Sequence, residues 1–480
     1  MKFLVPLLFL AISQISFAEI KNVILIVSDD HRYDFMGFMD KAPEFLETPG
    51  LDRMAKEGIH FENAFVSTSL CSPSRASILT GQFMHKHKVV DNQRPVPKGT
   101  VFFPEYLQKA GVETAFIGKW HMGHDDDNPR KGFDHWISFK GQGTYFDPLL
   151  NINGTQKQFK GYNADILTGL AIDWLKTKEK KQFYLQLSYK AVHYPFQPPK
   201  RHAERYEKEK IVYPQTMALT EKNYQTQSKW MKERRYGIHG IDHMETGNFD
   251  NDPVPSFKEW YRNYCETVHA VDENVNQVLT YLDKSGLSKN TLVLYMGDNG
   301  FELGEHGFYD KRDAFEESIR VPLLAWAPGN LKSTKVSKMV QNIDMAASIL
   351  DFYGIKAPEK ANMDGASFKA FMEGKDIPWR KHILYEYHWE WNFPAVPTTL
   401  AIRNERYKYI YYHGIWDRNG FYDLKTDPVE RHNLIDIPHF KDEIAKLREQ
   451  LFKELAERNA LNLPIRPPKG VQFYDRKLKR

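Results

Sequence analysis

Short apolar runs that end abruptly in polar residues recur along the chain, with apolar positions at helical spacing between them. Strands covered on both faces read as continuous apolar runs, and the alternation of strands with helices is typical of an α/β fold with a doubly wound, mostly parallel sheet. The predicted strands are Val23–Val27, Thr114–Ile117, Phe183–Leu187, Leu292–Met296 and Leu323–Trp326. The predicted helices are Pro49–Glu57, Phe103–Ala110, Asp165–Lys176, Tyr261–Ser285 and Asn342–Tyr353.

Two regions break this alternation. A polar segment without clean periodicity, at about 198–255, predicts a long insertion over the edge of the sheet. From about residue 377 the pattern changes to aromatic strands followed by a terminal helix, which indicates a smaller antiparallel α+β subdomain over 377–480. Its predicted elements are the strands Ile383–Phe393, Thr399–Asn404, Tyr407–Tyr412 and Phe421–Leu424 and the helix Phe440–Arg458.

The first eighteen residues have the pattern of a signal peptide. Lys2 precedes the apolar run Phe3–Ile12, and Ser16-Phe17-Ala18 offers the small residues that a signal peptidase reads. No later stretch reaches the roughly 18 consecutive apolar residues of a membrane helix. We therefore expect an exported protein without a membrane span, periplasmic or secreted in a bacterium.

Composition narrows the class of protein. The 480 residues carry 66 basic and 62 acidic side chains, a formal net charge of +4, which gives no argument for nucleic-acid binding. The two cysteines, Cys71 and Cys265, cannot form a disulfide framework or, alone, a thiolate zinc site. The sequence leaves the oligomeric state open.

Acidic pairs follow two of the predicted strands. Asp29-Asp30 comes after the first and Asp298-Asn299 after a later one. Ligands of open α/β sheets lie at the carboxyl ends of the strands, and carboxylate and amide oxygens suit calcium or magnesium rather than zinc. Taken alone, an Asp-Asp pair also suits a helix cap or a solvated turn. The two pairs together favour a cation site.

The segment Cys71–Gly81 predicts a short helix. Pro73 suits its first turn and Gly81 its end, so Cys71 would stand at the amino terminus, where free amides and the helix dipole attract an anion. Arg75, one turn further, adds a fixed positive charge. The alternative is a buried structural cysteine beside a surface arginine.

Two strings in the chain resemble known signatures. Cys71-Ser72-Pro73-Ser74-Arg75, followed by Leu79-Thr80-Gly81, is similar to the signature of the type I, formylglycine-dependent sulfatases of the alkaline phosphatase superfamily. Gly118-Lys119-Trp120-His121-Met122-Gly123 resembles their second signature, and the resemblance covers nearly the whole mature chain. It implies a large mixed, mostly parallel sheet sandwiched by helices, with a catalytic domain over 19–376 and the smaller subdomain after it.

The resemblance also implies a set of roles. A maturation enzyme would oxidise Cys71 to formylglycine (3-oxoalanine), whose hydrate attacks sulfur to give a covalent sulfate ester on the enzyme. One Ca²⁺ per chain would bind Asp29, Asp30, residue 71, Asp298 and Asn299, and Asp298 would take a proton from the hydrate. Arg75 and Lys119 would face the sulfate, His121 would act as the base that expels sulfate, and His193 or Lys311 would assist the leaving group.

The implied substrate is a sulfated oligo- or polysaccharide. The strings Phe301–Pro328 and Tyr385–Asp423 look like bacterial carbohydrate sulfatases. We expect a glycosaminoglycan such as chondroitin or dermatan sulfate, with an algal glycan (ulvan or carrageenan) as the alternative. Side chains predicted to contact the sugar are His306, His388 and Arg312.

Aromatic and basic residues add weaker indications. Aromatic and polar residues alternate from Tyr385 to Phe393, so one face of that strand would pack the subdomain core or meet sugar rings. The basic runs Lys200–His202 and Lys229–Arg235 would bind anionic groups of a polymer or form a solvated face.

Three other functions compete with a sulfatase. A phosphodiesterase or phosphonate hydrolase of the same superfamily would use the same aldehyde. A papain-like hydrolase would need Cys71 as a thiol paired with a histidine. A glycan-binding protein without activity would leave the charged cluster idle.

Overall fold

The computed structural model describes residues 20–178, 181–237, 239–242, 256–463 and the backbone of 248–249 and 252–253. The predicted signal peptide at 1–18 lies outside the described residues. Among the helices that are described, none is both long and apolar enough to cross a membrane.

A ten-stranded mixed sheet forms the centre of the molecule. Its strands, in the spatial order β13-β2-β12-β11-β1-β8-β4-β5-β6-β7, combine parallel and antiparallel neighbours. In chain order they are β1 (Asn22–Ser28), β2 (Ile59–Phe61), β4 (Glu113–Lys119), β5 (His135–Phe139), β6 (Leu149–Ile152), β7 (Thr155–Gln158), β8 (Phe183–Ser188), β11 (Thr291–Gly297), β12 (Leu323–Trp326) and β13 (Thr334–Val336). Short pairs outside it are β3 (Ala64–Phe65) with β14 (Val340–Gln341), and β9 (Asn248–Phe249) with β10 (Asp252–Pro253).

The four strands predicted to precede polar clusters lie side by side and parallel, in the order β11-β1-β8-β4. Their ends are in register, because Ser28 pairs with Gly297 and both Val27 and Gly118 pair with Ser188. Gly118 has φ +121°, and a β-carbon there would collide with the Ser188 carbonyl, so this close approach needs glycine. The polar residues after these strands therefore share one edge.

Helices cover both faces of the sheet. Val23, Leu25 and Val27 of β1 pack into one apolar core and the intervening Ile24 and Ile26 into another, which explains the continuous apolar runs in the sequence. The α-helices of this part are α1 (Pro49–Glu57), α2 (Cys71–Thr80), α3 (Met84–His87), α4 (Pro104–Lys109), α5 (Asn163–Leu175), α6 (Glu221–Tyr224), α7 (Lys229–Arg234), α8 (Phe257–Ser285), α9 (Glu316–Ile319), α10 (Asp344–Phe352) and α11 (Lys369–Met372). Short 3₁₀ helices are Leu287–Asn290, Glu305–Gly307, Glu359–Ala361 and Pro438–Phe440.

The smaller subdomain is a four-stranded antiparallel sheet with one helix on it. Its elements are β15 (His382–Tyr387), β16 (Thr398–Asn404), β17 (Tyr407–His413), β18 (Gly420–Asp423) and α12 (Lys441–Glu457). Leu447, Leu451 and Leu455 of α12 pack on the sheet in a third apolar core. The architecture predicted from the sequence is confirmed, whereas the domain boundary at residue 376 stays a prediction.

One predicted strand is shorter than expected. β15 ends at Tyr387 rather than Phe393, because the chain then turns: the Trp389 amide donates to Thr398 Oγ1 (2.8 Å) and the Phe393 amide to the Glu390 carbonyl (3.0 Å). Residues 388–397 form a loop, which we call the aromatic loop. The alternation of an aromatic and a polar face does not hold, since Tyr385, Glu386 and Tyr387 are all buried.

A buried group of charges joins the two parts of the molecule. Lys408 of β17, fully buried, lies 2.9 Å from Glu316 of α9 and 2.9 Å from Glu430. Arg403 of β16 also donates to Glu316, at 2.9 Å. Such a group is stable only while each charge keeps its partners.

Replacing Lys408 with Met should therefore destabilise the protein by about 3–5 kcal/mol, because buried Glu430 would lose its cation and Glu316 would lose one of its cations. Denaturant unfolding of the full chain measures this. Lys446→Met, at an exposed lysine of α12, is the matched control and should change the unfolding free energy by less than about 0.5 kcal/mol. Equal effects of the two substitutions would contradict the prediction.

Candidate functional site

Three carboxylates and an amide meet where β1 and β11 end. One side-chain oxygen of each of Asp29, Asp30 and Asp298 lies within 4.8 Å of the others, and all three residues are fully buried. The Asp30 amide donates to Asp298 Oδ1 (3.1 Å), and Asn299 Nδ2 donates to Asp30 Oδ1 (2.6 Å). Asp30 Oδ2 and Asn299 Oδ1 accept no hydrogen bond from the described residues. This set of hard oxygen donors fits a divalent cation such as calcium or magnesium.

Cys71 is the first residue of α2 and is completely buried. Its sulfur lies 3.3 Å from Asp29 Oδ1, and the Lys311 ammonium donates to it at 3.3 Å. Burial, with the negative charge of Asp29, raises the pKa of the Cys71 thiol to about 12. Pro73 lies in the first turn, and α2 ends at Gly81 in the left-handed conformation (φ 68°), as the sequence predicts. The amino terminus of the helix, with its partial positive charge, thus borders the carboxylates.

Three cations surround these acids. Lys119 at the end of β4 is bonded to Asp29, and Lys311 to Asp30. Arg75 of α2 binds Asp298 Oδ2 through Nε and Nη2, both at 2.8 Å, and Nη1 donates to the Lys119 carbonyl at 2.8 Å. The three carboxylates and three cations are all buried.

The acids differ in their pKa values. Burial alone would raise all three pKa values, but the neighbouring cations, Lys119 foremost, outweigh it at Asp29, whose pKa falls well below its usual value. At Asp298, burial and the charge of Asp29 raise the pKa to about 7. Burial alone would lower the pKa of Lys311, but Asp30 outweighs it and raises that pKa above its usual value. Fully ionised, the three acids and three cations cancel, so a bound divalent cation would leave a positive excess that attracts an anion.

Two histidines complete the cluster. His193 has a ring nitrogen within 4.8 Å of Asp29 and Cys71 ligand atoms, and its Nδ1 donates to the Tyr194 carbonyl at 2.5 Å, so the neutral ring has its lone pair on Nε2. Burial and the charges of Lys311 and Lys119 hold its pKa well below the usual value. His121 is buried with φ 56°, Nδ1 has no hydrogen-bond partner in the described chain, and burial and Lys119 lower its pKa too. Both rings are neutral near pH 7.

The residues predicted to contact sugar lie in different surroundings. Arg312 is buried between Asp310 (2.5 Å) and Glu390 (2.9 Å), with its guanidinium 3.5 Å from the centre of the Phe393 ring. His306 stacks on Phe315 at 3.9 Å between ring centres. His388 is buried in the smaller subdomain. A sugar-binding role for these three stays a prediction.

Sequence reasoning missed two polar neighbours of the cluster. Gln142 accepts a hydrogen bond from Lys119 Nζ at 2.5 Å, and Lys190 lies with its ammonium 4.7 Å above the Tyr145 ring. Burial and the like charge of Lys119 lower the pKa of Lys190 to about 8. Lys190 lies three residues after the predicted strand Phe183–Leu187, and that position was the available signal. Gln142 stands in no motif.

Arg234 of α7 was also missed as a site residue. It is buried and donates to the Lys311 carbonyl (2.9 Å), to Asp313 (2.8 Å) and to Asp310 (3.1 Å). The polar insertion thus fixes the backbone of the segment that carries Lys311 to the site. Arg234 therefore holds this segment in place and does not itself touch Cys71 or the carboxylates in the contacts seen here.

Several other basic residues of the insertion are also engaged internally, whereas Lys200, Lys229 and Lys232 are exposed. Arg201 pairs with Asp165 (2.7 Å) and Glu273 (2.6 Å), and His202 contacts Glu273 at 2.8 Å. Arg235 pairs with Asp242 at 2.5 Å. These contacts favour a structural use of Arg201, His202 and Arg235 over capture of an anionic polymer.

Comparisons with known proteins agree with this arrangement. The Sulfatase family model matches residues 21–355, and the model described as N-sulphoglucosamine sulphohydrolase, C-terminal, matches 304–457. An N-acetylglucosamine-6-O-sulfatase of Bacteroides thetaiotaomicron is 32% identical over 91% of this chain and 86% of its own length. The human N-acetylglucosamine-6-sulfatase is 30% identical over 79% of this chain and 70% of its own.

A solved structure supports the same relationship. A protein in complex with its substrate D-glucosamine-2-N,6-O-disulfate superposes with a TM-score of 0.84 at 30% identity, covering 93% of this chain and 99% of that one. The chain therefore belongs to the sulfatase family of the alkaline phosphatase-like superfamily and is a carbohydrate sulfatase, a hydrolase of sulfuric esters.

Proposed function

We propose that this enzyme removes the 6-O-sulfate of a glucosamine unit in a glycosaminoglycan. What carries the proposal is the likeness, along nearly the whole chain, to an N-acetylglucosamine-6-O-sulfatase and to a structure that holds a glucosamine disulfate. The preference for chondroitin or dermatan sulfate expected from the sequence stays a prediction, and it differs in the sugar that bears the sulfate.

Position 71 suits conversion of Cys71 to formylglycine. In the structure the sulfur stands where the oxygens of the hydrated aldehyde would lie, and its neighbours are two carboxylates and the Lys311 ammonium, which bind oxygen better than a neutral thiol. The hydrate supplies one hydroxyl as nucleophile and a second that allows the sulfate to be released. A maturation enzyme that oxidises Cys71 is therefore a partner of this chain.

A single Ca²⁺ fits the cluster of Asp29, Asp30, Asp298 and Asn299, with the group at position 71 as a further ligand. The unpartnered oxygens of Asp30 and Asn299 are the observation that favours it, because buried acceptors without a donor are costly. The ion would offset the charge of the sulfate and of the three acids. Calcium is favoured over zinc because the site is built mostly from oxygen donors.

Two cations and a histidine of the chain take the other catalytic roles. Lys119 faces the sulfate and offsets its charge. Arg75 holds Asp298 through a hydrogen bond from Nε and an ion pair from Nη2, so that the carboxylate can accept a proton from position 71. His121, neutral with a free ring nitrogen, serves as the base that assists release of sulfate.

Lys311, rather than His193, protonates the departing sugar oxygen. Lys311 carries its proton at neutral pH because Asp30 raises its pKa, whereas neutral His193 presents a lone pair at Nε2. His193 then accepts a hydrogen bond or orients the ester.

The proposal includes export of the protein to the periplasm or the cell exterior, where its polysaccharide substrate would be found.

Defined oligosaccharides test the substrate. With protein co-expressed with a formylglycine-generating enzyme, sulfate release should be fastest from 6-O-sulfated N-acetylglucosamine, slower by about tenfold or more from 6-O-sulfated N-acetylgalactosamine, and absent from matched phosphodiesters. Faster release from N-acetylgalactosamine would contradict the glucosamine assignment and support the chondroitin expectation.

The Cys71→Ala variant gives the rate of sulfate release in the absence of the nucleophile. It should lose about a thousandfold or more in kcat, because no nucleophile remains at position 71. An unconverted, alkylatable Cys71 in active protein, seen by intact mass, would refute the formylglycine proposal.

Calorimetry tests the cation site. Ca²⁺ should bind the metal-free protein at one site per chain and raise its Tm, and Asp30→Asn should weaken binding by about tenfold or more because a charged ligand is lost. Asp34→Asn is the control, since Asp34 is a buried acid paired with Arg32 outside the cluster. Equal Ca²⁺ affinity in wild type and Asp30→Asn would argue against these ligands.

Leaving groups of different basicity test Lys311. Lys311→Met should lose about a hundredfold or more in kcat on a sugar sulfate, but much less on 4-nitrophenyl sulfate, whose phenolate departs without a proton. Arg234→Gln, which loosens the same segment, should show a weaker form of this pattern, whereas Arg235→Lys should not. Equal losses on both substrates would mean that Lys311 binds sulfate and does not protonate the leaving group.

A further inference from the structure

A groove outside the charged cluster lies between α7 and the edge of the smaller subdomain. Its volume is about 410 Å³, and its lining includes Trp230 and Glu233 of α7, Trp389 and Pro394 of the aromatic loop, and His413 and Ile415 at the end of β17. No residue of this groove has a part in the proposed chemistry.

Exposed tryptophan is concentrated beside this groove. Of the ten tryptophans of the chain, all within the described residues, only three are exposed: Trp389 (43%), Trp391 (40%) and Trp416 (103%). They lie on the aromatic loop and on the turn after β17, two neighbouring connections because Thr398 pairs with His413. Exposed aromatic surface gathered in one place marks a binding site more often than scattered apolar residues do.

The walls of the groove are held in place by hydrogen bonds. The Trp389 amide donates to Thr398 Oγ1 (2.8 Å) and its indole nitrogen to the Pro394 carbonyl (3.3 Å). Asp417 accepts from Ser228 Oγ (3.0 Å) and the Lys229 amide (2.5 Å) at the start of α7. Binding would therefore order few side chains, which lowers its entropic cost.

The aromatic loop links the groove to the segment that carries Lys311. Glu390, next to Trp389, accepts from Arg312 at 2.9 Å, and Phe393 stacks on the same guanidinium. Arg312 follows Lys311, whose ammonium is 3.3 Å from the Cys71 sulfur. One loop of ten residues thus borders both the segment that carries Lys311 and the groove.

The chemistry of the groove selects among occupants. Indole faces pack against the C–H face of a pyranose ring, while a carboxylate such as Glu233, exposed at the groove, accepts hydrogen bonds from hydroxyls and repels sulfate. We propose that the groove is a distal glycan subsite, which binds an unsulfated pyranose unit of the chain whose sulfated unit lies at Cys71. The proposal rests on the proposed function for the identity of that chain.

Direct binding tests this without any turnover. The probe is an unsulfated octasaccharide of alternating glucuronate and N-acetylglucosamine, titrated into the full-length protein by calorimetry. Trp389→Ala should weaken binding by about tenfold or more, as for an aromatic anchor. Trp391→Ala, at an equally exposed tryptophan of the same loop that does not line the groove, is the matched control and should bind as the wild type does. Glu233→Gln, at an exposed residue, serves as a second variant if Trp389→Ala fails to fold.

Turnover adds a second readout. The ratio of kcat/KM for a 6-O-sulfated octasaccharide to that for the sulfated monosaccharide should fall by about tenfold in Trp389→Ala and stay constant in Trp391→Ala. No binding of the octasaccharide by wild type, equal binding by Trp389→Ala, or equal weakening in both tryptophan variants would overturn the subsite. Self-association of the wild type that Trp389→Ala abolishes, without glycan binding, would instead assign the groove to a second copy of the chain.

These outcomes are separable from the proposed function. An enzyme that fails on glucosamine sulfates but binds the octasaccharide through Trp389 would retain the subsite and lose the substrate assignment. An enzyme that is active on the monosaccharide but shows no dependence on Trp389 would retain the activity and lose the subsite.

Discussion

Burial of charge at the ends of four parallel strands is the constraint on which the site depends. Asp29, Asp30 and Asp298 are removed from water, and each would be unstable there without a partner. The in-register ends of β11, β1, β8 and β4 bring the necessary cations within contact distance, Lys119 at the end of its strand and Arg75 from α2 beside it. The register of the sheet therefore determines whether the buried carboxylates have the cations that stabilise them.

The third cation reaches the site by a different route. Lys311 belongs to no element of the sheet, and its segment is held by Arg234 from the insertion and, through Arg312 and Glu390, by the aromatic loop of the smaller subdomain. Two regions that contribute no catalytic group of their own therefore determine where an ammonium group lies. Buried pairs such as Lys408 with Glu316 keep the subdomain in the position this requires.

The sequence predicted most of the fold because burial on both faces leaves a clear pattern. Helix Pro49–Glu57 and strand Leu323–Trp326 end where the apolar spacing ends. The predicted strand Ile383–Phe393 was longer than β15, because the alternating pattern continues beyond Tyr387. In the structure, hydrogen bonds to Thr398 and Glu390 turn the chain there. The carboxylates of the site, Lys119 and Lys311 were found since they follow strands or stand in motifs, whereas Lys190 was missed although it follows β8. Gln142 and Arg234 were not found either, because only the tertiary fold brings them there, and the left-handed backbone of Asp30 and His121 has no signature in residue type.

Cys71 is buried, at the start of a helix whose ten residues are all buried. A second enzyme could not close around that side chain in the folded protein. If Cys71 is converted to formylglycine as proposed, the conversion must therefore precede folding, while the polypeptide is still extended. Conversion of residue 71 would no longer be possible once the strands have assembled. A molecule that folded before conversion would be stable and natively folded but permanently inactive.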